Sequence, residues 1–413
     1  MSSDSSSAAS LRHCAPFWRF WLARVLLTSG FQVITVAIGW QVYALSGSAY
    51  DLGLVGLLQF FPRVLLVLLT GAVSDRFDRR RVVGVSLAMQ AAAAAILLAG
   101  NLGGLFAISR ELIFALSLLI GTCRSFDMPA MQSLLPSIVP QRLLGQAIAL
   151  AASANEAATI VAPALGGLLF ALGAPFTYGL SAFSFALCLL MVSSLPASRR
   201  EGKPARVSVE SLLAGVRFIR SRPDIFGAIS LDLFAVLLGG ATALLPVYAH
   251  DILKTGPWGL GLLRSAPAVG ALLMSAWLLR HPVHRRSGRV MFFAVAVFGL
   301  ATIVFGLSTS FPLSLLALMV LGSADVISVV IRGTLVQLET PDEMRGRVNA
   351  VNSLFIGASN QLGEFESGMT AGLMGTVPAV VAGGVGTLLV VVLWMKWFPQ
   401  LAARDRLVSE EPR

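Results

Sequence analysis

Twelve apolar runs, each long enough to cross the roughly 30 Å hydrocarbon core of a bilayer, constrain this chain more than any other feature. They cover residues 17–45, 51–72, 82–101, 110–135, 143–171, 175–195, 224–248, 259–279, 290–308, 312–336, 347–373 and 376–398. No alternating barrel pattern accompanies them, so backbone amides in lipid must be satisfied within helices. With 56% hydrophobic and 13% charged residues, a soluble core could not hide the apolar surface. The expected fold class is therefore an all-α membrane protein of twelve transmembrane helices.

The net charge of +10 would suggest nucleic acid in a soluble protein. Here the basic residues sit in short gaps between apolar runs, with no aromatic-interleaved basic face, and nucleic acid is excluded as a partner. Arg76, Arg79, Arg80, Arg81, Arg142, Arg199, Arg200, Lys203, Arg206, Arg280, Arg285, Arg286, Arg289, Arg345 and Arg347 all fall on one set of alternate connections. The opposite set holds little beyond Arg110 and Lys254. The positive-inside rule then places both termini in the cytoplasm. The run after Phe17 is long, opens with Trp18 and Trp21 and has no small-residue cleavage site, so it reads as a retained first span.

The longest polar interval divides the chain. Residues 1–16 form a polar tail, 17–198 a first six-helix bundle, 199–223 a cytoplasmic linker, 224–398 a second bundle and 399–413 a tail. Within the linker, SVESLLAGVRFIRS has an amphipathic pattern and reads as a surface helix. The halves repeat: Leu52, Gly53, Leu54, Arg81 and Val82 recur 208 positions later as Leu260, Gly261, Leu262, Arg289 and Val290. Pro140 and Gly145 recur 201 positions later as Pro341 and Gly346. Constant offsets of this kind imply duplicated, pseudo-symmetric bundles with a binding site between them.

Charges inside the spans are costly, about 2.5 to 3.5 kcal/mol at a helix centre, and mark functional or pairing positions. Arg24, Arg63, Arg124, Asp127, Glu156, Asp232, Arg264, Asp325, Arg332, Glu364 and Glu366 qualify. Arg124 and Asp127 share a helix face, as nearly do Asp325 and Arg332. Two readings stay open for each: a structural salt bridge, or a carboxylate that exchanges a proton as its partner moves. Asp232 heads the proton-coupling candidates as a lone carboxylate in an apolar helix, followed by Glu156, with Asp127 and Glu364 behind. Arg24, Arg124, Asp325, Arg332 and Glu366 are candidates for cavity charge or pairing, with Arg332 a partner for Glu364 or Glu366. A spacing of two puts those glutamates on different faces, so at most one lines a cavity.

The connection GAVSDRFDRRR, residues 71–81, resembles the signature between the second and third helices of the major facilitator superfamily of secondary transporters. Gly71, Ser74, Asp75, Arg76, Arg79 and Arg80 fit it, while Asp78 stands where a small residue is expected. In the fifth run, Pro163, Gly166 and Gly167 of APALGGLLF resemble the antiporter signature of exporters in that superfamily, with Ala149, Ala158 and Ala162 replacing expected glycines. Close helix packing explains the same small residues equally well. LDLFAVLLGGATALLPVYAHDIL, GLGLLRSAPAVGALL and TPDEMRGRVNAVNSLFIGASNQLGEFESG are similar to the branch containing an enterobactin exporter and drug:proton antiporters.

That resemblance implies a monomeric exporter in the bacterial inner membrane that uses proton entry to move a siderophore or amphipathic drug-like molecule. An importer of a nutrient or metal chelate, or a non-transporting membrane sensor, remains the alternative. The resemblance also implies a gating latch at Gly71, Asp75, Arg76, Arg79 and Arg80, with Asp75 partnered near Gly346. The second-half copy, RHPVHRRSGR, lacks that Asp. No phosphate-binding GxxxxGK[ST] loop occurs, and no catalytic grouping is visible. His281 and His284 lie among arginines, which disfavours a metal; no cofactor is expected. Cys14, Cys123 and Cys188 are far apart and read as unpaired thiols.

Overall fold

A computed structural model describes residues 11–103, 106–196, 209–283 and 285–405. The first six long helices are α1 (Ala15–Ser46), α2 (Ala49–Arg76), α3 (Arg79–Asn101), α4 (Arg110–Ile138), α5 (Leu144–Leu172) and α6 (Ala174–Ser193). A linker helix, α7 (Val209–Ser221), follows. Then come α8 (Pro223–Leu238), the short α9 (Leu245–Val247), α10 (Gly256–Arg280), α11 (Ser287–Leu307), α12 (Phe311–Glu339), α13 (Asp342–Met374), α14 (Thr376–Trp397) and α15 (Pro399–Ala403). This is the all-α, multi-pass architecture expected from the apolar runs.

Eleven of the segments are long and apolar enough to cross a membrane. The exception is α13. At 33 residues it has ample length, but Asn352, Asn360, Glu364 and Glu366 dilute its apolar character. Its polar side chains are the reason it stands out among the twelve expected spans.

The seventh expected span is not one helix. It ends as α-helix at Leu238, passes through a 3-10 turn at Ala241–Leu244 and α9, and finishes as a π-turn at Tyr248–Ile252. The Gly239-Gly240 dipeptide is the cause. Gly240 sits so close to α13 that a Cβ there would lie 2.4 Å from the Gly363 carbonyl oxygen. Only glycine permits that approach, and two successive glycines make the α-helix easy to leave.

The described residues form two compact units. One holds those up to Ala37 and those from Phe61 to Pro196; the other holds Ile38–Phe60 and those from Val209 onward. The division falls inside α1 and α2, whose adjoining ends pack with the second unit.

In the first unit α3 packs on α4 and α6. Gly166 of α5 approaches α1 closely, since a Cβ there would be 3.1 Å from the Val33 Cα. In the second unit α11 packs on α12 and α14, and α10 on α12. A Cβ at Gly322 would stand 1.9 Å from the Pro267 carbonyl oxygen, and one at Gly270 would stand 1.9 Å from that of Met319. Backbone contact through small residues gives the van der Waals attraction that holds helices together in lipid, where apolar surface alone supplies no drive.

The linker helix α7 packs on α13 and α8. Gly215 and Ile219 face inward while Arg217 and Arg220 are exposed, which gives the amphipathic pattern its structural meaning.

Candidate functional site

Buried charge is distributed unequally between the two units. In the first, Asp127 of α4 is fully buried, and its Oδ2 accepts a 2.7 Å hydrogen bond from Nε2 of Gln90 on α3. Its Oδ1 has no hydrogen-bond partner. Arg124, one turn earlier, takes a different course from that expected of a same-face pair. Its guanidinium carbon lies 3.6 Å from the ring centroid of Phe31 on α1, a cation–π arrangement. Its Nη2 is 3.4 Å from the Met128 sulfur, and Nη2 of Arg63 on α2 is 3.3 Å from the same sulfur.

Two guanidinium groups thus converge on one thioether, with Asp127 as the adjacent buried acid. The Nε of Arg124 is buried without an acceptor. Arg24 is half-buried, and Glu156 is exposed on α5; neither forms an ion pair among the described residues.

The second unit holds the complementary arrangement. Arg332 of α12 donates Nη1 to Oδ2 of Asp232 on α8, with the Arg332 side chain 3% and the Asp232 side chain 8% exposed. Asp232 is therefore not the lone carboxylate that its apolar helix suggested. A small cavity beside the pair is lined by Asp232, Asp325, Ser328, Val295 and Phe298. Asp325 lies one and two helical turns from Ser328 and Arg332, on the side of α12 that faces α8 and α11. Two carboxylates and one guanidinium share this cluster, with Asp232 and Arg332 buried and Asp325 part-buried, a formal charge of −1.

Glu364 lies elsewhere on α13. Its Oε2 would be 3.0 Å from a Cβ placed at Gly56 of α2, so Gly56 leaves the room that the carboxylate occupies. Arg264 of α10 is its electrostatic partner. Glu366 points to a different face, as the spacing requires, and accepts 2.7 Å from the Thr370 hydroxyl. The expected pairing of Arg332 with Glu364 or Glu366 does not form, because Arg332 is taken by Asp232.

The ends of α1 and α2 in this unit carry a second polar contact. The Tyr43 hydroxyl donates to Oδ2 of Asp251, whose Oδ1 lies 2.5 Å from His250 Nδ1. The Trp40 ring packs 5.3 Å from the His250 ring. Nearby, Gly53 and Gly368 meet backbone to backbone: a Cβ on Gly368 would be 2.6 Å from the Gly53 Cα. Sequence reasoning passed over Tyr43, Asp251, Gln90 and Phe31. The π-turn that presents Asp251 has no sequence signature, and the other three side chains are unremarkable in a span.

Of the resembled gating stretch, Arg79 donates 3.0 Å to the Ser133 carbonyl and Arg80 donates 2.5 Å to that of Leu195, tying the start of α3 to the ends of α4 and α6. Asp78, the departure from the pattern, caps α3: its Oδ1 accepts 3.0 Å from the Arg80 amide and its Oδ2 pairs with the Arg80 guanidinium at 3.0 Å. The surroundings of Gly71, Ser74, Asp75 and Arg76 lie outside the described residues, as does His284. Pro163 and Gly167 are buried within α5, which runs through both as a continuous helix. Among the described residues no group of three His, Cys, Asp or Glu is placed to hold a metal, and the three cysteines are free.

The chain is 27% identical over 391 residues to the enterobactin exporter EntS of Escherichia coli O1:K1, covering 91% of this chain and 90% of that one. It has the same identity and coverage with the enterobactin exporter EntS of Shigella boydii serotype 18. Among solved structures it is similar to a mutant of the nucleoside transporter NupG, at 15% identity and TM-score 0.74 over 93% of this chain and 100% of that one. It is also similar to a bacterial homologue of the iron transporter ferroportin, at 19% identity and TM-score 0.70 over 96% and 100%. A family profile, the transmembrane secretion effectors, matches residues 5–411, and the chain belongs to that family of major facilitator transporters.

Proposed function

We propose that this protein is a proton-coupled exporter of an anionic, amphipathic small molecule of the siderophore class. It works as a monomer in the bacterial cytoplasmic membrane, with both termini inside. The similarity to enterobactin exporters supports the cargo class, and the one-sided placement of arginines in the connections supports the orientation.

The observation that carries the coupling is the cluster of Asp232, Asp325 and Arg332. One bound proton brings its formal charge to zero; losing it leaves −1 in a buried site. A transporter that closes around the neutral cluster and opens around the charged one links proton movement to its conformational cycle. Asp232 and Asp325 share that proton in this reading. Glu364, Asp127 and Glu156 are secondary candidates.

The first unit supplies the binding charge. Arg63 and Arg124 outnumber their one buried acid, Asp127, and the vacant Nε of Arg124 is a donor suited to a carboxylate or phenolate oxygen of the cargo. Gly71, Asp75, Arg76, Arg79 and Arg80 form the gating stretch, with Asp75 as latch, and Pro163, Gly166 and Gly167 give α5 its close packing.

Metabolite profiling of spent medium from a deletion strain tests the cargo. One anionic amphipathic species should fall in the medium and rise in the cells. A medium unchanged from wild type under iron limitation contradicts siderophore export.

A further inference from the structure

Each unit carries an apolar groove that ends at an arginine, and the two arginines are equivalent in the internal repeat. On the first unit a groove of about 320 Å³ is lined by Val82, Val85 and Met89 of α3, Phe126 of α4 and Phe77, with Arg81 at one end. On the second, a groove of about 670 Å³ is lined by Phe292, Phe293 and Ala296 of α11 with Val391 and Met395 of α14, and Arg289 closes it beside α15. Arg81 and Arg289 are 208 positions apart, the same offset that relates Leu52-Gly53-Leu54 to Leu260-Gly261-Leu262.

Both arginines are the third residue of their helix. That first turn already has the positive end of the helix dipole, so a cation there is disfavoured by about 0.3–1 kcal/mol unless an anion joins it. The neighbouring groups are taken. Arg79 and Arg80 are bonded to the Ser133 and Leu195 carbonyls, and Asp78, the acid nearest Arg81, is bonded by Arg80. At α11 the amides of Ser287 and Gly288 donate to the carbonyls of Asp405 and Arg404 at 3.2 and 3.1 Å. The side chains of Arg81 and Arg289 are exposed and make no hydrogen bond or ion pair to a described residue.

The walls are mostly Val, Met, Phe and Ala, with Ser86, Thr122 and Cys123 in the first groove, and they belong to membrane-spanning helices whose outward apolar surface meets hydrocarbon. An apolar channel with a guanidinium at its membrane-surface end has the chemistry of a lipid with a negative headgroup. We propose that the two grooves, which flank different sides of repeat-equivalent helices but end at repeat-equivalent arginines, are anionic phospholipid sites. In each, one acyl chain lies along the outer helix, α3 or α11, and the phosphate rests on Arg81 or Arg289.

Native mass spectrometry of the full chain in detergent tests this without reference to cargo or orientation, using phosphatidylglycerol and phosphatidylcholine as probes. Two phosphatidylglycerol molecules should survive activation that strips phosphatidylcholine. Arg81→Gln and Arg289→Gln should each remove one and lower its affinity roughly fivefold, the worth of one basic side chain near an anionic surface. The double variant should remove both, and Arg81→Lys with Arg289→Lys should retain both. Ala296→Trp, which fills the second groove but leaves Arg289, should remove one and guards against a Gln variant that does not fold. Equal retention of the two lipids, or two phosphatidylglycerol molecules retained by the double variant or by Ala296→Trp, overturns the proposal.

Discussion

Arg332 and Asp232 form a buried ion pair between α12 and α8, and Asp325 stands beside it with no cation of its own. The consequence is an asymmetry between the partners. Arg332→Gln leaves buried Asp232 and part-buried Asp325 uncompensated, whereas Asp232→Asn leaves Arg332 with Asp325 as a substitute. Removing one member of a buried pair costs about 3–5 kcal/mol when nothing replaces it. Thermal unfolding in detergent should show a large loss for Arg332→Gln and a clearly smaller one for Asp232→Asn; equal losses would remove Asp325 from the cluster.

A second prediction concerns the glycine contact of α2 with α13. Gly368→Ala puts a methyl group 2.6 Å from the Gly53 Cα, so the two backbones must separate. Overpacking of this kind costs about 1–3 kcal/mol. Disulfide formation between cysteines introduced at Tyr43 and Asp251 should fall in that background, because the end of α1 that carries Tyr43 leads directly into the start of α2 that carries Gly53. Unchanged cross-linking would show that Gly53 and Gly368 do not hold the ends of α1 and α2.

The Tyr43–Asp251 hydrogen bond links α1 to the π-turn after α9. A hydrogen bond to a charged group contributes about 1.5–3 kcal/mol. Tyr43→Phe should therefore raise labelling of a cysteine at His250 by an impermeant thiol reagent about tenfold or more, while leaving cargo affinity nearly unchanged. Loss of affinity without a change in labelling would place Tyr43 at the cargo instead.

Asp78 gives a pH-dependent prediction outside the spans. Partial burial pushes its carboxyl up, but the side-chain and amide hydrogen bonds from Arg80 outweigh this and hold it below its ordinary value. With a depressed folded value, its stabilising contribution is present above the unfolded value of 3.8 and is lost as pH falls through the folded one. Asp78→Ala should cost about 1 kcal/mol as a lost helix cap near neutral pH, and Asp78→Asn much less. The difference between wild type and Asn should vanish under strong acid. A difference that persists there would assign the effect to packing.

The last structural prediction concerns the C-terminal segment. Arg404 pairs with Asp224 at 3.1 Å and with Glu339, joining α8 and α12 while its side chain is only 14% exposed. Arg222 pairs with the same glutamate at 2.9 Å but is 50% exposed. An exposed pair contributes about 0–1 kcal/mol and a sheltered network more. Arg404→Ala should lower the unfolding temperature well beyond Arg222→Ala; the reverse order would mean that the segment does not clamp the helix ends.

The apolar runs made the spans legible because lipid allows few backbone solutions: the expected limits of most helices agree with the structure to within a few residues. The seventh run does form one membrane-length segment, but its break at Gly239-Gly240 is not legible in sequence, because the contact that breaks the helix is made by Gly363, over a hundred positions away. Intramembrane charges were legible as a set but not as pairs. Asp232 and Arg332 are a hundred positions apart, and nothing in either helix names the other. Arg124 and Asp127 were close enough in sequence to suggest a bond, yet Phe31 and Gln90 offer better-placed partners on neighbouring helices. The role of Asp78 as a helix cap was readable in principle, since an Asp directly before the basic start of a helix satisfies its free amides.

The most direct test of proton-coupled export is counter-transport in proteoliposomes holding the full chain, with cargo identified from the deletion strain and proton movement followed by an internal pH dye. Wild type should move protons opposite to cargo and accumulate cargo against its gradient when a pH gradient is imposed. Asp232→Asn combined with Asp325→Asn should still bind cargo and exchange it down its gradient, but without proton movement. Cargo-linked proton flux that survives in the double variant, in a well-folded protein, would contradict the assignment of coupling to this cluster.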